Sequence, residues 1–138
     1  MTDISGKWTY RSFHNDPAPV GDDAEKALGL IFAEAEFRFE ISGTELSGVI
    51  DWGGGGLALK GTVQPAGATT PLTVQIVGTG TKELGTEGWE YDYYAWLTHQ
   101  WQNGINQVPA LVGSVIRAKP HGSAPAGYVA SFIAVKKS

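Results

Sequence analysis

Apolar and polar residues alternate along this chain in short runs, and most runs are closed by glycine, proline or asparagine. The clearest run covers 33–41. Ala33, Ala35, Phe37, Phe39 and Ile41 fall on one face, and Glu34, Glu36, Arg38 and Glu40 fall on the other. A period of two with one apolar face predicts a half-buried strand. Strand-like runs also cover 7–13, 46–52, 57–63, 72–78, 89–97, 110–118 and 128–135. Between them lie turn formers: Ser42-Gly43-Thr44, the four glycines 53–56, the loop 65–71, Asn103-Gly104 and the Pro-rich 120–125. Connections this short suit sequential antiparallel neighbours, because parallel pairing needs long crossovers. Closing the sheet would remove both exposed edges. The pattern therefore predicts an all-β fold, an eight-stranded antiparallel up-and-down β-barrel in a single domain over 1–138. A two-sheet sandwich of the same strands is the alternative.

One segment breaks the rhythm. After the first strand come Asn15-Asp16-Pro17 and Pro19, then Asp22-Asp23-Ala24-Glu25-Lys26-Ala27-Leu28. Asp22 with Glu25 three residues on resembles a capping box, so a short helix is predicted after strand one, able to run on to Ala33.

Composition removes whole classes of function. A formal net charge of −4 and scattered basic residues argue against a nucleic-acid partner, which needs a basic footprint. No cysteine is present, which excludes disulfides, cysteine-based zinc sites and cysteine nucleophiles. No apolar run approaches the ~18–20 residues of a membrane helix, and Met1-Thr2-Asp3-Ile4-Ser5 has no signal-peptide character. A cytoplasmic protein without a membrane role is the expectation. Gly78-Thr79-Gly80 and the glycines 53–56 are not followed by Gly-Lys-Ser/Thr or by a convincing helix. They read as turns or kinks rather than phosphate loops, and no cofactor is predicted.

Gly6-Lys7-Trp8 resembles the Gly-x-Trp that opens the first strand of the calycin barrels, the lipocalin and avidin families. The resemblance implies that Trp8 plugs the barrel floor and that Lys136 on the last strand stacks over it to close the barrel. Length and strand count look most like the avidin branch. Biotin binding does not carry over, because the polar and Trp set of such pockets finds no residue-by-residue match.

Aromatic residues concentrate in one place. Trp89, Tyr91 and Tyr93 share one face of the sixth strand, whereas Tyr94 and Trp96 share the other with Glu90 and Asp92. Rigid rings with polar handles suit a ligand cage, and they also suit a packed core. Rings on both faces point to a subunit contact through Tyr94 and Trp96, hence a homodimer or higher homo-oligomer. Small residues on the inward faces, such as Ala33, Gly48, Gly61, Gly78 and Gly113, suggest room inside the barrel; relief of strand curvature is the other explanation.

The primary expectation is a barrel that binds a small, largely apolar or aromatic molecule. Tyr10, Phe37, Phe39, Trp52, Tyr91 and Tyr93 would form the wall, with His14 and either Arg11 or His121 as polar contacts at the rim. Strand directions place His14 and His121 at one rim and His99 at the other, which disfavours a three-histidine metal site. His14, His121 and Asp16 remain a two-histidine, one-carboxylate option, with solvated loop histidines favoured over it and no metal predicted. Glu90 and Asp92 are expected outside and solvated; placed inside, they would need Arg117 or Arg38 as partners. Two other functions fit the same residues. One is a cofactor-free isomerase, cyclase or lyase using Tyr91, Tyr93 or His14. The other is a structural module with a packed barrel.

Overall fold

The computed structural model describes residues 2–137. Eight strands close one barrel: β1 (Gly6–His14), β2 (Ile31–Ser42), β3 (Glu45–Asp51), β4 (Gly56–Gln64), β5 (Thr73–Thr79), β6 (Glu90–Leu97), β7 (Ala110–Arg117) and β8 (Val129–Lys136). Each strand is antiparallel to the next, and β8 returns to β1 with Trp8 opposite Lys136 and His14 opposite Ala130. The two-sheet alternative is therefore not adopted.

A short helix, α1 (Ala24–Leu28), follows β1. Its cap is Asp23 rather than Asp22: the Asp23 carboxylate accepts from the backbone N–H of Glu25 and Lys26. The helix does not reach Ala33. It ends at Gly29, and the chain enters β2 at Ile31, where alternating apolar residues begin to face the barrel interior.

The lower interior is filled by side chains. Trp8, Phe37, Phe39, Leu46, Val63 and Leu111 are all buried. Phe37 packs on Phe39 with centroids 4.8 Å apart and meets Tyr10 edge-on at 4.9 Å. The inward glycines explain how such rings fit. Gly48 lies opposite Phe39, Gly78 opposite Tyr91 and Gly113 opposite Phe132. A Cβ on Gly48 would lie 1.8 Å from the Arg38 carbonyl oxygen, and one on Gly113 would lie 1.8 Å from that of Tyr94. At these positions adjacent backbones close on each other as the sheet coils. The glycines serve curvature rather than leaving empty space.

The floor is closed by the segment before β1. The Trp8 indole N–H donates to the Ile4 carbonyl at 2.8 Å, and the Lys136 ammonium donates to the Asp3 carbonyl at 3.0 Å. Both residues named for closure thus bind the N-terminal segment. Lys136 lies opposite Trp8 in the β1–β8 ladder, and its ammonium is engaged with a backbone carbonyl.

Candidate functional site

At the opposite rim the interior opens into a cavity of about 500 Å3. Tyr10, Ile50, Tyr93 and Val115 line its lower part. Phe32, Trp52, Trp89, Tyr91, Arg117 and His121 line its mouth. The loops of this rim explain why rings collect there. Trp52 leaves β3 into the glycine turn, where its N–H donates to the Gly55 carbonyl at 3.0 Å. Its indole lies where a Cβ on Gly55 would come within 2.9 Å, so the turn can carry the ring only with glycine there. Trp89 is held from both sides: its N–H donates to the Thr86 carbonyl at 2.9 Å, and its carbonyl accepts from Gly80 at 2.8 Å. Thr86 is itself buried and donates its hydroxyl to the Gly56 carbonyl at 2.7 Å, tying the β5–β6 loop to the start of β4.

His121 sits on a tight turn between β7 and β8. It exchanges backbone hydrogen bonds with Ala124 at 3.1 and 2.9 Å, and Gly122 takes the positive φ of 55° that the turn requires. The turn lays the imidazole flat on Trp89, with centroids 3.7 Å apart and planes 10° from parallel. Trp52 also stacks with Trp89, at 6.1 Å and 19°. Three flat rings thus form a ladder along one side of the mouth.

Behind the ladder lies a polar cluster. The Arg117 Nε–H donates to the Tyr91 hydroxyl at 2.9 Å, and Nη1 donates to the Pro125 carbonyl at 3.1 Å. The Tyr91 hydroxyl also meets His121 Nε2 at 2.8 Å. With Arg117 donating to its oxygen, the phenol proton is free to go to Nε2 of a neutral imidazole. Burial first, and the Arg117 charge second, hold the His121 pKa below its ordinary 6.5, which favours that neutral form. The guanidinium sits among the rings of Phe32, Tyr91 and Tyr128, at 5.6, 5.6 and 5.3 Å from their centroids. Deeper down, burial pushes the Tyr10 and Tyr93 hydroxyls well above the ordinary tyrosine value. The cavity base therefore stays uncharged across neutral pH.

The residues singled out from the sequence divide by height. Tyr10, Trp52, Tyr91 and Tyr93 meet at the cavity, and His121 joins them. Phe37 and Phe39 lie below it in the packed floor, because two more steps down β2 carry them under Tyr10. His14 stands at the mouth rim but does not line the cavity. Its Nδ1 is hydrogen-bonded to the Tyr128 hydroxyl, and Phe32 meets its ring edge-on at 5.1 Å. Arg11 points outward and pairs with Glu34 at 3.4 Å. Glu90 and Asp92 also face outward, on the side of β6 opposite Tyr91 and Tyr93. Tyr94 and Trp96 are 42% and 51% exposed on that outer face. Among the described residues no group of three or more His, Asp or Glu is assembled as a metal-ligand set. His14, His121 and Asp16 accordingly do not form one.

Two of the residues at the cavity mouth, Arg117 and Phe32, are not assigned to the wall by the sequence expectations. The sequence offers Arg117 only as a partner for inward carboxylates. Yet Leu111, Gly113, Val115 and Arg117 share one period-two face, and extending that period from Gly113 places Arg117 inside. Phe32 carried no such signal. The register between β1 and β2 slips between Ser12 and Phe13, so Ser12 faces Ala33, Phe13 faces Ile31, and Phe32 is left over as a bulge at the mouth.

Compared with protein-family models, curated proteins and solved structures, the chain shows no match.

Proposed function

We propose that this barrel binds a compact, largely apolar or aromatic small molecule at its mouth. The supporting observation is the cavity of about 500 Å3, walled by rings and opening at one rim above a packed floor. Small-molecule sites usually span roughly 300–1,000 Å3 and combine apolar walls with a few fixed polar groups. Tyr10 and Tyr93 would form the base, the Trp52–Trp89–His121 ladder the flat side, and Tyr91 with Arg117 the polar contacts. Native mass spectrometry of protein purified from its own host, paired with thermal shift across a metabolite panel, tests this. A retained mass and a raised Tm are the expected results. The absence of both a bound mass and any shift would reject the reading.

A second reading, a cofactor-free isomerase, cyclase or lyase in the same cavity, is favoured by His121. A neutral imidazole bonded to a phenol at 2.8 Å is a base and an acid in contact, beside a cation able to stabilise developing negative charge. Conversion of a retained ligand, abolished by His121→Phe, would select this reading over simple binding.

We also propose self-association through the outer face of β5–β8. Val77, Tyr94, Trp96, Val129 and Ile133 are exposed there, whereas the outer face of β1–β4 carries Arg11, Glu36, Arg38, Glu40 and Lys60. On the apolar side Asp92 Oδ1 is buried with no hydrogen-bond partner among the described residues. Its pKa is raised by desolvation first and by Glu90 second. Light scattering on Trp96→Glu is expected to show a monomer where the parent shows a dimer or larger species. A monomeric parent would end this proposal.

A further inference from the structure

Arg117 is the only Lys or Arg among the residues lining the cavity, and it is 8% exposed. A guanidinium stays charged in any protein environment. Burying one away from water is costly unless a counter-charge compensates it. None of the ion pairs among the described residues includes Arg117. Glu34, the carboxylate residue on the cavity wall, is engaged with Arg11 and is 55% exposed. Three aromatic rings and the Pro125 carbonyl supply partial compensation and fix the side chain in place. Of the five N–H donors of the guanidinium, Nε and Nη1 each have a protein acceptor in Tyr91 and Pro125. The remaining donors have no hydrogen-bond acceptor among the described residues, and Arg117 lines the cavity.

We infer that the ligand of this cavity carries a single carboxylate on a flat apolar or aromatic body, with the carboxylate held by Arg117 and the body lying against the Trp52–Trp89 ladder. The inference rests on the small-molecule reading above and names its ligand class. Planar, forked recognition of a carboxylate is what a guanidinium does best. The lining holds one cation and no second Lys or Arg, which suits a monoanion better than a phosphate dianion. The occupant supplies the counter-charge that the described residues do not provide.

Trp fluorescence titration at neutral pH tests the inference with three probes of one shape: 2-naphthoate, 2-naphthamide and 2-naphthyl phosphate. The parent is expected to bind the carboxylate about tenfold or more tighter than the amide, the span of a charge-assisted hydrogen bond. In Arg117→Gln this preference is expected to vanish while amide binding persists; in Arg117→Lys it is expected to survive in part. Near-UV circular dichroism checks that each variant folds. Should Arg117→Gln fail to fold, the parent's carboxylate-to-amide ratio and Arg117→Lys decide. Amide binding equal to carboxylate binding in the parent would overturn the charge assignment and leave the cavity reading intact. Tighter binding of the phosphate would overturn the carboxylate class. Binding of none of the three would reject the cavity reading, and this inference with it.

Discussion

The floor and the mouth of this barrel are built by the same eight strands and differ in what fills them. In the floor, Trp8, Phe37, Phe39 and Leu111 are all buried. Inward glycines let the strands coil tightly enough for the rings to meet. At the mouth the rings stand around the opening. Trp52, Trp89 and His121 stack along one side, and a buried cation faces the space they leave. The difference lies in the loops. The segment before β1 folds across the floor and binds Trp8 and Lys136, whereas the mouth loops are pinned to each other through Thr86 and hold their rings at the rim. Packing that fills the interior and packing that leaves it open are thus separated by height along one barrel.

The largest effect should come from the floor. Trp8→Ala removes the largest wholly buried side chain and the donor to the Ile4 carbonyl, and is expected to cost about 3–5 kcal/mol of stability. Denaturant unfolding measures it, and a loss no larger than that of a mouth residue would break the comparison. Next is Gly113→Ala, whose Cβ would meet backbone at 1.8 Å, with an expected loss of roughly 1–3 kcal/mol by the same measurement. At the mouth, Trp89→Ala is expected to cost about 1 kcal/mol or less in stability while weakening 2-naphthoate binding about tenfold. Equal losses in stability and in binding would mean that the two regions are not separate.

Two pH arms sharpen the contrast. In the floor and cavity base, Tyr10 and Tyr93 stay protonated in the fold at pH values where an unfolded tyrosine, with its ordinary value of 10.0, ionises. Their contribution is complete below pH 10.0 and falls as pH rises above it, because only the unfolded chain then loses the protons. At the mouth the sign reverses. His121 is held below 6.5, so its contribution is complete above that value and is lost as pH falls through the lower folded value. Urea midpoints across pH should show both arms. His121→Phe, which keeps a ring on Trp89, should remove the part of the acid arm that begins near pH 6.5 and leave the alkaline one.

The barrel was legible because a period of two, repeated eight times between turn residues, admits few closed solutions. The floor was legible as a set of inward residues, though Phe37 and Phe39 read equally well as cavity wall. Alternation tells which face a side chain takes and says nothing of its height. Arg117 lay within reach of the same alternation. A charged residue is ordinarily assigned outside, and the three rings and the Pro125 carbonyl that hold it come from distant stretches of chain. The helix cap fell one residue late because two aspartates stand side by side and only the backbone geometry chooses Asp23.

By itself the sequence determined the strands, their antiparallel order and the inward face of most of them, since these follow from local alternation and turn chemistry. Tertiary structure alone decided where the interior closes and where it stays open. A one-residue bulge turned Phe32 to the rim, a four-residue turn laid His121 on Trp89, and strand coiling brought neighbouring backbone against the inward glycines. Each of these depends on register and loop closure between segments far apart in the chain, a quantity that no local period carries.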